Sequence, residues 1–170
     1  MKNVITVFAL MMLTIAGCGY HLPGRGGTLP EDIATLMIEA VENKTAEPFI
    51  ETQLTNEVRD QFARRQTVTI VADAEQADAI LTASIISYRS NAITYNQDDD
   101  ISEYRLTMQV DGKLVRRLDD EVIWQGTVQW QEEFFASDDR AEQDQRESDA
   151  QLKATKRLAQ EVYNRITDNF

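Results

Sequence analysis

The order of elements predicts an α+β fold, a two-layer sandwich with two helices packed on one face of a mixed four- to five-stranded sheet. Two observations lead there. Ile50, Leu54, Val58 and Phe62 recur every four residues, and Leu158, Val162 and Ile166 repeat that spacing near the C-terminus, so the chain holds two amphipathic helices with one apolar stripe each. Between them, apolar and polar residues alternate, the pattern of strands with one buried and one wet face. Single-striped helices and a single-faced sheet cover each other's apolar surface most economically as two layers.

The chain begins with Lys2 and an apolar run from Val4 to Ile15, the layout of a secretory signal. That run is shorter than the roughly 20 apolar residues a membrane-spanning helix needs. Ala16 and Gly17 follow, then Cys18, and Ile15-Ala16-Gly17-Cys18 resembles the bacterial lipobox, where the Cys thiol is acylated and the chain is cut just before it. The alternative is an ordinary signal cut nearby, which leaves a free thiol. Gly19 stands where an Asp would resemble an inner-membrane retention signal, so delivery to the outer membrane is expected. Residues 1–17 are thus read as a lipoprotein signal peptide. Residues 18–30, with Pro23, Gly24, Gly26, Gly27 and Pro30, are read as a lipidated flexible tether, and 31–170 as a single domain. About a dozen tether residues reach at most roughly 40 Å.

Ile33–Val41 reads as the first strand, although its apolar run is ambiguous. Thr45 is placed to cap a helix, Pro48 suits a first turn, and the stripe carries the helix to Arg64–Arg65. Thr67–Val71 is a short β-rich run, and Asp73–Asp78 a polar link with a helical turn. Ala79–Tyr88 is a strand and Arg89–Ser102 a polar loop. Tyr104, Leu106, Met108 and Val110 alternate with Arg105, Thr107, Gln109 and Asp111 in the next strand. After a turn at Arg116–Glu121, Val122, Trp124, Val128 and Trp130 alternate with Gln125, Thr127, Gln129 and Gln131, and this strand can run on to Phe134. The charged segment Asp138–Ser148 opens the long C-terminal helix, where Ala154 and Ala159 join the stripe. The Trp124/Trp130 face is expected against the helices, and the first strand, helix and second strand suit a right-handed crossover.

Charge and chemistry narrow the function. The chain carries 17 Lys and Arg against 29 Asp and Glu, net −12, and loss of residues 1–17 removes only Lys2, giving −13. Such a surface repels anionic polymers, so nucleic acid is excluded as a partner. Cys18 is the only Cys, so no disulfide forms within the chain and stability rests on the core. The only His, His21, lies in the tether, which leaves no Ser/His/Asp triad, and no metal-ligand cluster is present. Asp98-Asp99-Asp100 lacks the spacing and distal Glu of a calcium loop. The chain is read as neither an enzyme nor a cofactor or metal carrier. What remains is a neutral polar sheet face, with tip loops around Tyr95–Asn96 and Phe134–Arg140 that can project from the membrane. Tyr95, Asn96, Phe135 and Arg140 are the candidate contacts there.

Several stretches carry a family resemblance: Cys18-Gly19-Tyr20-His21-Leu22, Val41-Glu42-Asn43-Lys44-Thr45, Glu47-Pro48, Ala77-Asp78-Ala79, Glu103-Tyr104-Arg105-Leu106-Thr107, Val122-Ile123-Trp124 and Phe134-Phe135. Together they resemble the lipopolysaccharide-assembly lipoprotein family (LptE-like). The resemblance implies an outer-membrane lipoprotein on the periplasmic face. It implies a plug inside a large β-barrel translocon, which it helps assemble, and assistance in lipopolysaccharide delivery to the outer leaflet. Lipopolysaccharide contact by basic residues near the tip loops is also implied. Here the chain departs from the pattern, with no base between Arg89 and Arg105 and only Arg140 near the second tip. The rival class is a lipoprotein cofactor that activates a cell-wall synthase or another envelope machine. The short tether favours a partner at the outer membrane itself.

Overall fold

The computed structural model describes residues 29–168, so the expected signal peptide, Cys18 and most of the tether lie outside the described residues. The elements are β1 (Thr35–Ile38), β2 (Glu42–Asn43), α1 (Ile50–Arg65), β3 (Thr69–Val71), a 3-10 turn (Ala74–Gln76), β4 (Ala79–Tyr95), β5 (Ile101–Arg116), β6 (Val122–Phe135) and α2 (Arg140–Thr167). The sheet order is β3-β1-β4-β5-β6, with β2 also paired to β4. β1 runs parallel to β3 and β4, as the helical crossover through α1 requires, and β4, β5 and β6 form an antiparallel meander. The result is the expected two-layer α+β sandwich on a mixed sheet.

Three boundaries differ from expectation, each for a local reason. The sheet has six strands, because Ile33–Val41 is not one strand. Pairing stops after Ile38 and resumes at Glu42. In between, the Val41 N–H donates to the Thr55 hydroxyl of α1 at 2.9 Å, which draws the backbone off the sheet. α1 begins at Ile50, not at Pro48, and Thr45 does not cap it. Phe49 sits in the left-handed region (φ 67°) with no side-chain cap. The Thr45 N–H and hydroxyl instead donate to Asn43 Oδ1 at 2.9 and 2.8 Å. The third difference is the largest. The expected loop Arg89–Ser102 is mostly strand, since Arg89, Ser90, Asn91 and Ala92 pair with Thr107, Leu106, Arg105 and Tyr104 of β5. Pairing along a formed neighbour overrides weak strand propensity.

Both stripes are buried as their periodicity predicts. Ile50, Leu54, Val58 and Phe62 of α1 and Ala150, Ala154, Leu158, Ala159, Val162 and Ile166 of α2 lie in one core with Leu81, Ile85, Leu106, Met108, Val110 and Leu114 of the sheet. The helices meet where the Phe62 and Tyr163 rings pack edge-on at 4.9 Å. Asp139 caps α2 by accepting from the Glu142 N–H at 2.9 Å. Trp124 is buried on the helix side, and Trp130 is half-buried there with the Arg157 guanidinium 5.8 Å from its ring. Burial of Trp124 contributes on the order of 2–3 kcal/mol. Its ring lies across Gly112 and Gly126, and a Cβ on Gly112 would come within 2.7 Å of it, so that strand position must be glycine.

Candidate functional site: the open sheet face and its tip

Because both helices cover one face, the meander's other face stays open. On it stand Arg105, Thr107, Gln109, Asp111 and Lys113 of β5 and Gln125, Thr127, Gln129, Gln131 and Glu133 of β6. Neighbours across the strands satisfy one another. Gln109 donates to Gln129 at 2.6 Å, Thr127 donates to Asp111 at 2.7 Å, and Arg105 forks onto Glu133 at 3.0 and 2.7 Å. Pairs of this kind hold the register and leave a flat, near-neutral polar surface on an otherwise acidic protein. Near the β2 edge it dips into an open trough of about 350 Å³ bordered by Lys44, Thr82, Ser84, Asp111, Lys113 and Thr127.

The face ends in a tip where β4 turns into β5. Tyr95 pairs with Ile101 across a register slip, and Phe135 with Glu103 two residues farther along β5, so all three stand at the tip end of the meander. Their exposures are 59, 37 and 67%. The meander thus ends in three large apolar side chains open to solvent. Ile101 is not foreseeable from spacing, because only the β4–β5 register puts it opposite Tyr95. Asn96 closes the turn. Its Oδ1 accepts from the N–H groups of Asp98 and Asp100 at 2.8 and 2.9 Å, and Asp99 adopts φ 63°. Its side chain is therefore committed to the hairpin. Arg140 opens α2 at the same end of the molecule but in the helical layer, next in sequence to Asp138 and Asp139. Arg146 anchors this end, donating to the carbonyls of Ala136 at 2.5 Å and Phe135 at 3.2 Å and pairing with Glu142 at 2.8 Å. Hydrogen bonds from Ser137 and Arg146 hold the Glu142 carboxyl below its ordinary range.

Acidic groups also meet in the helical layer. The Tyr88 hydroxyl donates to Glu147 at 3.3 Å, and burial together with Glu147 and Glu47 pushes the phenol well above its usual value. Burial, then Glu147, raises Glu47 as well. Among the described residues, no three His, Cys, Asp or Glu side chains gather in a metal-holding group, and no helix is long and apolar enough to cross a membrane.

Fold and face together define a small α+β domain whose sheet keeps one polar face open and ends in exposed aromatic residues. The pattern of the LptE lipopolysaccharide-assembly family matches residues 33–166. The LPS-assembly lipoprotein LptE of Pectobacterium atrosepticum is 30% identical over 176 aligned positions, covering 94% of this chain and 89% of the relative. Among solved structures, a protein from Xanthomonas campestris (TM-score 0.61, 14% identical) covers 83% of this chain and 89% of its own. An uncharacterized lipoprotein B from Nitrosomonas europaea (TM-score 0.58, 15% identical) covers 89 and 92%. At these identities the two structures support the fold. The chain belongs to the LptE lipopolysaccharide-assembly family, a family of assembly lipoproteins and not of enzymes.

Proposed function

We propose that the protein is an outer-membrane lipoprotein, anchored on the periplasmic face through acylated Cys18. In this reading it plugs a large β-barrel lipopolysaccharide translocon, helps that barrel assemble and assists delivery of lipopolysaccharide to the outer leaflet. The observation that carries the reading is the open face with its tip. A barrel lumen is polar, and a surface of Thr, Gln and internally paired charges suits it better than either an apolar or a highly charged one. At about 3.4 Å per residue, the 16 residues of β5 extend roughly 50 Å, more than the roughly 30 Å hydrocarbon thickness a lumen crosses. The Asp98–Asp100 turn repels phosphate groups, so barrel contact ranks ahead of direct lipid A contact, for which Arg140 is the remaining base.

Photo-crosslinkers at Tyr95, Asn96 and Arg140 test this in intact cells. Capture of a large outer-membrane β-barrel is expected, whereas capture of a cell-wall synthase favours the rival cofactor role. For the anchor, Cys18→Ser is expected to abolish incorporation of labelled palmitate, and undiminished label in the variant defeats it.

A further inference from the structure

β6 is the last strand of the sheet. β5 pairs with one side of it, and no strand among the described residues pairs with the other. An edge of this kind presents a row of unpaired N–H and C=O groups, which proteins ordinarily blunt with Lys, Pro, bulges or shortness. The other open edges follow that practice. β3 is only 3 residues long, and the part of β4 beyond β2 carries Arg89 and two register slips. β6 is 14 residues long, and Val122–Gln131 contains no charged residue and no proline. Its one register slip lies at the Val115 end, leaving Trp124–Phe135 in unbroken register with β5. α2 covers its face, with Lys153 4.0 Å from Glu132 and Arg157 over Trp130, contacts that set the helix above the strand.

We infer that the outer edge of β6 is a docking site for an extended partner segment, added as a further antiparallel or parallel strand. This rests on the plug reading, and the partner is then the translocon barrel chain. Every strand of a closed barrel wall is already paired on both sides, so the segment is a loop or terminal stretch of that chain lying in the lumen. Charge defines its chemistry. Opposite Val122–Gln131 it is uncharged, with small polar side chains beside the Gln125, Thr127, Gln129 and Gln131 row. Opposite Glu132 and Glu133 it carries Lys or Arg and no acidic group. A second copy of the chain fits less well. Two bodies of net charge −13 repel. Antiparallel pairing of β6 with itself also separates the tether ends, since Asp32 pairs with Arg116 at 2.9 Å at the Val122 end of the strand.

The test compares amide hydrogen exchange in the full-length protein alone and in its purified complex with the barrel. Alternate amides of Val122–Gln131, those pointing away from β5, are expected to slow in the complex by roughly tenfold or more, since they gain backbone partners. Thr127→Lys and Gln129→Lys place a guarding charge on the edge at exposed positions. Each is expected to lower barrel capture by roughly tenfold, the loss of one or two backbone pairs. Asn56→Lys puts the same charge on the exposed surface of α1, away from the open face and from the β6 edge, and is expected to leave capture unchanged. Equal loss from all three variants, or no alternate-amide protection in a complex that does form, overturns the strand addition while the plug role stands. Concentration-dependent protection in the isolated protein gives the edge to a second copy and overturns the inference. Absence of any captured barrel overturns the plug reading together with this partner.

Discussion

Asp78 holds the start of the meander to the first strand through one carboxylate oxygen. Its Oδ2 accepts from the Ala34 and Thr35 N–H groups at 3.0 and 2.8 Å and from the Thr35 hydroxyl at 2.8 Å. The hydroxyl bond, then the two backbone bonds, lower its pKa below the ordinary 3.8. The unfolded chain therefore takes up a proton more readily than the folded one as pH falls. The contribution is fully present above about pH 4 and is lost as pH drops through the depressed folded value. Asp78→Ala is expected to cost about 1–3 kcal/mol at pH 7, and the gap between variant and wild type in denaturant midpoint is expected to narrow below pH 4. A gap independent of pH would show that the carboxylate is not the tie. Asn43 and Asn96 do similar local work, each closing a loop through its own side chain. Bonds of this kind are hard to read in sequence, where Asn43 looks only like a turn residue and Thr45 like a helix cap.

Among the elements, those with strong periodicity were readable in advance. The α1 and α2 stripes, and the alternation in β5 and β6, depend on side chains meeting one common core. Leu158 is fully buried at the centre of the α2 stripe, and Leu158→Ala is expected to destabilise the domain by about 2–5 kcal/mol through lost contacts and a residual cavity. Urea unfolding checks this, and an unchanged midpoint would displace the helix from the core. The second half of β4 was not readable. Arg89, Ser90 and Asn91 have no strand signature, and only their partners in β5 make them a strand. The same holds at the start of α1, where a positive φ at Phe49 delays the helix past Pro48. Neither the left-handed residue nor the pairing leaves a periodic trace.

At the level of the molecule, the helical layer leaves one sheet face free, and β4, β5 and β6 carry that face far from the end where Asp32 meets Arg116. The described residues begin near that end, at Leu29 and Pro30, and Tyr95, Ile101 and Phe135 lie at the opposite end of β4, β5 and β6. Aromatic residues beside a tip were visible in the sequence, as was a polar face. Their union with Ile101 and the bare β6 edge followed only from register and strand order. Interfaces concentrate their energy in a few anchors, and in the proposed plug role the exposed tip residues are the candidates for them. Depletion of the protein in growing cells, with folded barrel and surface lipopolysaccharide quantified in the same samples, addresses the plug role most directly. Both are expected to fall together. Normal amounts of folded barrel and of surface lipopolysaccharide after depletion would contradict it.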